Sequence, residues 1–249
     1  MSRVVPFRAL LGSEWVKLRS LRSTWWCLAV YVDLAVGAGW LAAGTTHRAA
    51  DAGTAMAAVL TGFGFAQPAL LVLGVLAMSA EFGSGMALAS FAAVPRRTRV
   101  LAAKTVVVAL VSVLATAGAG LLCALAARTL VAVPGGVSFG TAAVLRPVAV
   151  QVAAATLVAL LGLALGTLLR STAGAVGAGL ALVLVLPPSL ALAGGHVGGR
   201  ISQALPELRV GEQAFFSVPT GWTAGLLIAA GWAVVAWAAG AVLLERRDV

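Results

Sequence analysis

Along the chain, long uncharged apolar runs alternate with short polar or basic clusters. A helix that crosses a bilayer needs about 20 mostly apolar residues, and six segments meet that demand: 25–43, 57–79, 105–127, 147–169, 173–193 and 222–244. Backbone groups in hydrocarbon must bond within their own segment, so such runs predict helices and an all-α membrane protein. The fifth run carries Pro187 and Pro188. Fourteen residues precede the pair, about 21 Å of helix, which is short for a core near 30 Å. The sequence leaves two readings there, a kinked helix that continues or a re-entrant segment. Residues 194–221 are more polar and read as an external segment, with a short amphipathic piece at 201–208.

Two further stretches carry helical periodicity without being long enough to span. In residues 1–23, Phe7, Leu10, Leu11, Trp15, Leu18 and Leu21 recur at helical spacing, with Arg8, Glu14, Lys17 and Arg19 between them. This predicts an amphipathic helix in the membrane interface, on Phe7, Leu11, Glu14, Trp15 and Leu18. The basic region is too extended and the following run too long for a cleaved signal, so 25–43 reads as a first membrane helix. In residues 80–99, between the second and third runs, a short apolar-faced helix should end at Pro95, ahead of Arg96, Arg97 and Arg99.

Composition agrees with the pattern. Hydrophobic residues make up 61% of the 249 and charged residues 10%, against roughly 45–50% and about 25% in soluble domains. The formal charge of +9 would suggest nucleic acid in a soluble protein, but the cations cluster between apolar runs, as in loops facing anionic lipid; no nucleic-acid partner is expected. Six crossings put both termini on one side. If that side is the cytoplasm, 12 of the 17 Lys and Arg residues lie inside and five (Arg48, Arg128, Arg146, Arg200, Arg209) outside, which favours both ends in. The whole chain reads as one membrane unit.

Candidate chemistry is sparse. There is no GxxxxGK[ST] loop, and the only lysines, Lys17 and Lys104, follow no glycine loop. ATP hydrolysis is therefore not expected of this chain. His47 and His196 are far apart and Cys27 and Cys123 lie in apolar runs, so no metal site is expected. The GxS at Gly136–Ser138 reads as a turn. Asp33 lies deep in the first run, where an aspartate costs about 2.5–3.5 kcal/mol. It should face the bundle interior, a wet cavity or another subunit. Gln67 and Gln151 interrupt the second and fourth runs. All three are candidate pathway-lining residues, with interhelical hydrogen bonding as the plainer role for the two glutamines. Gly162 and Gly166 form a GxxxG in the fourth run.

Two stretches carry a resemblance. SEWVKLRSLRSTWW (13–26) and SAEFGSGMALASFAAVPRRTRVLAAKTVV (79–107) resemble the membrane subunits of ABC-2-type exporters, especially actinobacterial ones. Members read S-E-W-x-K-L-R-S-x-R-S-T near the start, then E-[FY]-x-x-G-[TM] followed by P-R-R-x-x-V-x-x-A-K. LLRSTAGAVG (168–177) and VGEQAFF (210–216) are weaker similarities to the family's second cytoplasmic turn and its stretch before the last span. The likeness runs in order over nearly the whole chain. Members often carry a basic residue after the Gly-Thr pair, where this chain has Ala87 and Leu88.

The resemblance implies a six-transmembrane-helix ABC-2-type permease with an interfacial N-terminal helix and a cytoplasmic coupling helix at 81 to about 94. It implies pairing with a second permease subunit, as homodimer or heterodimer, in a bacterial plasma membrane. It also implies docking to a separate P-loop ABC ATPase that carries ATP and Mg. By motif, Glu81, Phe82, Gly83, Gly85, Pro95, Arg96 and Arg97 are the expected ATPase-coupling positions. Such permeases export drugs, antibiotics, peptides, lipids or polysaccharides, and the sequence does not select among them. A non-transporting anchor or sensor subunit, an intramembrane enzyme and a secondary transporter are the competing readings. The enzyme lacks a converging catalytic set, and the secondary transporter rests on Asp33 alone.

Overall fold

A computed structural model describes residues 6–83, 85–86, 97–192, 205–206 and 221–246. These are helical nearly throughout. In chain order they form α1 (Phe7–Ser20), α2 (Arg22–Thr45), α3 (Ala52–Leu60), α4 (Gly62–Gly83), α5 (Arg97–Leu130), α6 (Ala142–Leu169), α7 (Thr172–Leu180), a π turn (Ala181–Val185), α8 (Leu186–Leu192) and α9 (Gly221–Arg246). Five of these helices (α2, α4, α5, α6 and α9) are long and apolar enough to cross a bilayer. This is a multi-pass helical membrane protein by length and composition.

Several expected boundaries move. The second run does not form one helix from residue 57: it breaks at Thr61, whose carbonyl accepts from Gly64 N–H in a tight turn, so residues 57–60 belong to α3. Glycines 62 and 64 are weak helix formers, and Pro68 lacks the N–H that would bond back to Gly64. Asp51 begins α3 by accepting a 2.7 Å hydrogen bond from Thr54 N–H, the usual N-cap arrangement. The third run extends at both ends into the 34-residue α5, about 50 Å long.

The fifth run is not a single α-helix. Thr172–Leu180 passes into the π turn, where Leu186 N–H bonds to the Ala181 carbonyl, and then into Leu186–Leu192. The wide turn lies just ahead of Pro187, where a regular helix would collide with the proline ring. Helix therefore continues past the proline pair to Leu192. The external segment 194–221 lies almost wholly outside the described residues, as do its amphipathic piece, His196, VGEQAFF and residues 87–96.

Hydrogen bonds and side-chain contacts fix which ends lie together. The start of α5 reaches the end of α9, where the Arg97 guanidinium donates to the Leu244 carbonyl at 2.9 Å. The start of α7 meets the end of α4, where Thr172 Oγ1 lies 2.9 Å from Ser79 Oγ. α1 packs on the first turns of α5. At the opposite end the loop after α2 pairs with the loop after α5 through Ala49 N–H to Ala132 O and Ala132 N–H to His47 O. There too the Arg146 guanidinium lies 4.9 Å from the Trp222 ring centroid.

The core is built on close helix approach. Without a Cβ, Gly162 and Gly166 of α6 seat against the carbonyls of Leu71 and Val75 in α4, and Gly74 of α4 seats against Ala159 of α6. Partners advance by four on both helices, so α4 and α6 run in the same direction. Small residues let them touch backbone to backbone, the device that lipid-embedded helices use in place of a hydrophobic drive. The GxxxG of the fourth run thus has a defined partner. On the other flank Tyr31 of α2 is fully buried, its hydroxyl 2.8 Å from Thr116 Oγ1 and its ring edge-on to Phe63.

A Cβ at Gly74 or Gly162 would overlap a backbone carbonyl, whereas one at Gly37 would meet nothing. Gly74→Ala and Gly162→Ala should each destabilise the detergent-solubilised chain by about 1–3 kcal/mol. Gly37→Ala should be neutral. Thermal unfolding of the three variants checks this.

Candidate functional site: a buried four-charge circuit

The largest concentration of polar chemistry among the described residues joins α1, α4 and α5. Glu14 and Lys17 stand one turn apart on α1, and Glu81 ends α4. Lys104 lies seven residues into α5, about 10 Å along its axis. Lys17 Nζ is 2.8 Å from Glu14 Oε1 and 3.0 Å from Glu81 Oε1. Lys104 Nζ contacts Glu14 Oε2 and lies 3.0 Å from Glu81 Oε1. Charges alternate around a closed, net-neutral circuit. The side chains of Glu14, Lys104 and Glu81 are 3%, 5% and 8% exposed, and that of Lys17 26%.

Burying four charges costs several kcal/mol per ion. The arrangement meets that cost by giving every ammonium two carboxylates and every carboxylate two ammoniums. Burial pulls Lys17 down, but its hydrogen bonds to Glu14 and Glu81, with their charges, outweigh this and raise it above the ordinary lysine value. The circuit holds three helices at a fixed spacing. Both of its ammoniums are committed to carboxylates. Beside it lies a cavity of about 120 Å³ whose walls include Leu18, Leu21, Ala77, Met86 and Val107.

Phe82, next to Glu81, lies 5.1 Å from the Arg170 guanidinium, a cation–π contact. Arg170 adopts a left-handed conformation (φ 51°) and caps α6 through its N–H to the Gly166 carbonyl. Ser171 then caps α7, so the reversal takes two residues. Gly85 explains one motif glycine: its φ of 72° and its N–H bond to the Phe82 carbonyl turn the chain out of α4, a conformation that favours glycine. Nothing in the structure explains Gly83. Pro95 and Arg96 lie outside the described residues, and Arg97 binds the end of α9 as described above.

The amphipathic helix exists but turns differently from the expectation. Leu10, Glu14 and Leu18 are buried against the bundle, Leu11 is half-buried, and Phe7 and Trp15 are exposed. The periodicity marked two faces, one packed on the bundle and one exposed. Asp33 does not face this chain's own interior: it is exposed on α2, opposite the buried Tyr31 and Ala35, a position that fits the other two surroundings expected for it, a wet cavity or another subunit. Gln67 and Gln151 are 0% and 2% exposed, so the three candidate pathway residues share no face. Neither amide atom of Gln67 has a hydrogen-bond partner in the structure. Cys27 and Cys123 are free thiols, Cys123 buried and Cys27 half-buried.

Sequence reasoning passed over Lys17, Lys104 and Arg170. The signal was present: in a chain with only two lysines, both fall inside the two stretches that carry the resemblance. No protein-family model matches the chain, and no curated protein matches it significantly.

Removing one member leaves buried charge uncompensated. Lys104→Met should destabilise the chain by about 3–5 kcal/mol, and Lys17→Met by less because Lys17 is partly exposed. Adding Glu14→Gln to Lys104→Met should recover part of the loss. Lys17's contribution is complete below the ordinary lysine pKa and is lost as pH rises through its raised folded value, so α1 should stay docked at neutral pH and loosen in strong alkali. Thermal unfolding and limited proteolysis across pH measure both effects.

Proposed function

We infer that the chain is the membrane-spanning permease subunit of an ATP-driven ABC-2-type exporter. One observation carries the reading beyond motif similarity. The two stretches that resemble the family, 13–26 and 79–107, are far apart in sequence, yet Glu14 and Lys17 of the first close a buried circuit with Glu81 and Lys104 of the second. A segment that must pass ATPase movement into a bundle needs a stiff connection to it. Glu81 and Phe82 have that connection, to α1 and α5 on one side and to Arg170 on the other.

Six crossings are part of this reading. Thr172 lies with Ser79 at the circuit end, and Trp222 lies with Arg146 at the other. The chain between them must travel from one end to the other, and the 21 residues of α7, the π turn and α8 supply about 30 Å of helix. Arg19, Arg22, Arg97, Arg99, Arg170 and Arg246 belong to segments at the circuit end, which makes that end cytoplasmic by the positive-inside rule. The ATPase, with its ATP and Mg, docks there on the segment that leaves α4. A second permease subunit completes the pathway, and the exposed Asp33 lies on a face open to it.

The test is co-purification of a tagged chain with a P-loop ATPase, followed by ATP-dependent export in vesicles. Phe82→Ala and Glu81→Gln, each shown to elute monodisperse, should lower ATPase retention or export by about tenfold, the loss of one well-made contact. Full retention and full export in both variants would remove the basis for the assignment.

A further inference from the structure

The described surface carries a second feature, unrelated to the circuit. An open groove of about 700 Å³ runs between α2, α5 and the loop after α5, lined by nine residues that include Val32, Leu114, Gly118, Leu122, Leu125 and Phe139. None of the nine has a charged or hydrogen-bonding side chain. From Leu114 to Leu125 the groove follows α5 for about 17 Å, close to the depth of one leaflet in a hydrocarbon core of about 30 Å. Its floor is open at Gly118, where an added Cβ would meet nothing within 4 Å.

One end of this groove is charged and the other is not. Phe139 forms the wall at the end away from the circuit, and the Arg128 guanidinium lies 5.3 Å from its ring centroid. Arg128 is exposed, three residues past Leu125 and near the end of α5, and makes no ion pair with any described residue. The site therefore offers an apolar slot of single-leaflet depth with a guanidinium at its membrane-surface end. Polarity and length both match one kind of molecule.

We propose that this groove is a binding site for a membrane phospholipid, one acyl chain lying along Leu114–Leu125 and the phosphate held by Arg128. Arginine presents paired N–H donors that fit phosphate oxygens, and the acyl chain fills a slot that a flat helix face would leave open. An anionic headgroup without a competing cation, such as phosphatidylglycerol, should be held better than phosphatidylcholine. The site stands whether or not the chain is an exporter.

Native mass spectrometry of the full chain in mild detergent, titrated with phosphatidylglycerol or phosphatidylcholine, reads occupancy directly. The wild-type chain should retain one phosphatidylglycerol in preference to phosphatidylcholine. Arg128→Gln should weaken that retention about tenfold, as expected for one charge-assisted contact. Gly118→Leu, whose Cβ would meet nothing within 4 Å, places a branched side chain in the slot and should abolish it. Gly231→Leu is the matched control: it places the same side chain on α9, where nothing lies within 4 Å, and should leave retention unchanged. Equal retention in wild type, Arg128→Gln and Gly118→Leu would overturn the proposal, the lipid then being annular. So would a Gly118→Leu variant that keeps its lipid but loses self-association, because the occupant would then be a second copy of the chain.

Discussion

Four charges removed from water set the conditions for everything at one end of this molecule. Lys17 and Lys104 can lie where they do only because Glu14 and Glu81 lie there too, and three of the four pairings reach across helices, separated in sequence by up to 90 residues. A buried ion has no acceptable halfway state: once one helix leaves, the remaining charges face apolar surroundings. α1, α4 and α5 are therefore held as a set rather than by independent contacts. Phe82 follows directly after Glu81 and the turn at Gly85 comes three residues later, so the chain's exit from the bundle starts from a fixed point. Arg170 fastens the same point to the turn between α6 and α7.

Away from the circuit, different physics does the holding. In an apolar solvent Leu against Leu gains little, and the bundle relies on contact distance instead. Gly74, Gly162 and Gly166 let α4 and α6 meet carbonyl to Cα in a shared direction, and Tyr31 fills the space on the other side of α4. The two regimes divide the labour along the length of the bundle. Charge pairing fixes the wet end, where some water access lowers the cost of burial, and small-residue packing fixes the middle.

Much of this was legible in the residues. Long apolar runs bounded by arginines mark helices, because hydrocarbon admits few alternatives, and the five long helices match runs visible in the sequence. The break at Thr61 was not visible, since a charge-free stretch contains no polarity signal; only Gly62, Gly64 and Pro68 hint at it. The sequence left three surroundings open for Asp33 because cost alone does not say which face bears it: an acid can be accommodated at an open face as well as in a core. The amphipathic period of α1 was real, but apolar periodicity cannot distinguish a face turned to lipid from one turned to protein, and the buried face proved to be the one bearing Glu14. Two of the circuit's four pairings join residues 64 and 90 apart, which no local pattern can supply; the scarcity of lysine was its single trace.

That scarcity has a chemical corollary. An arginine-rich chain has committed its only two side-chain amines to one circuit, where each is held by two carboxylates. Pairing with carboxylates leaves an amine little free base with which to meet an acylating reagent. Lys17 loses both the Glu81 pairing and its shelter when the N-terminal helix lifts, so its acylation should quicken on undocking.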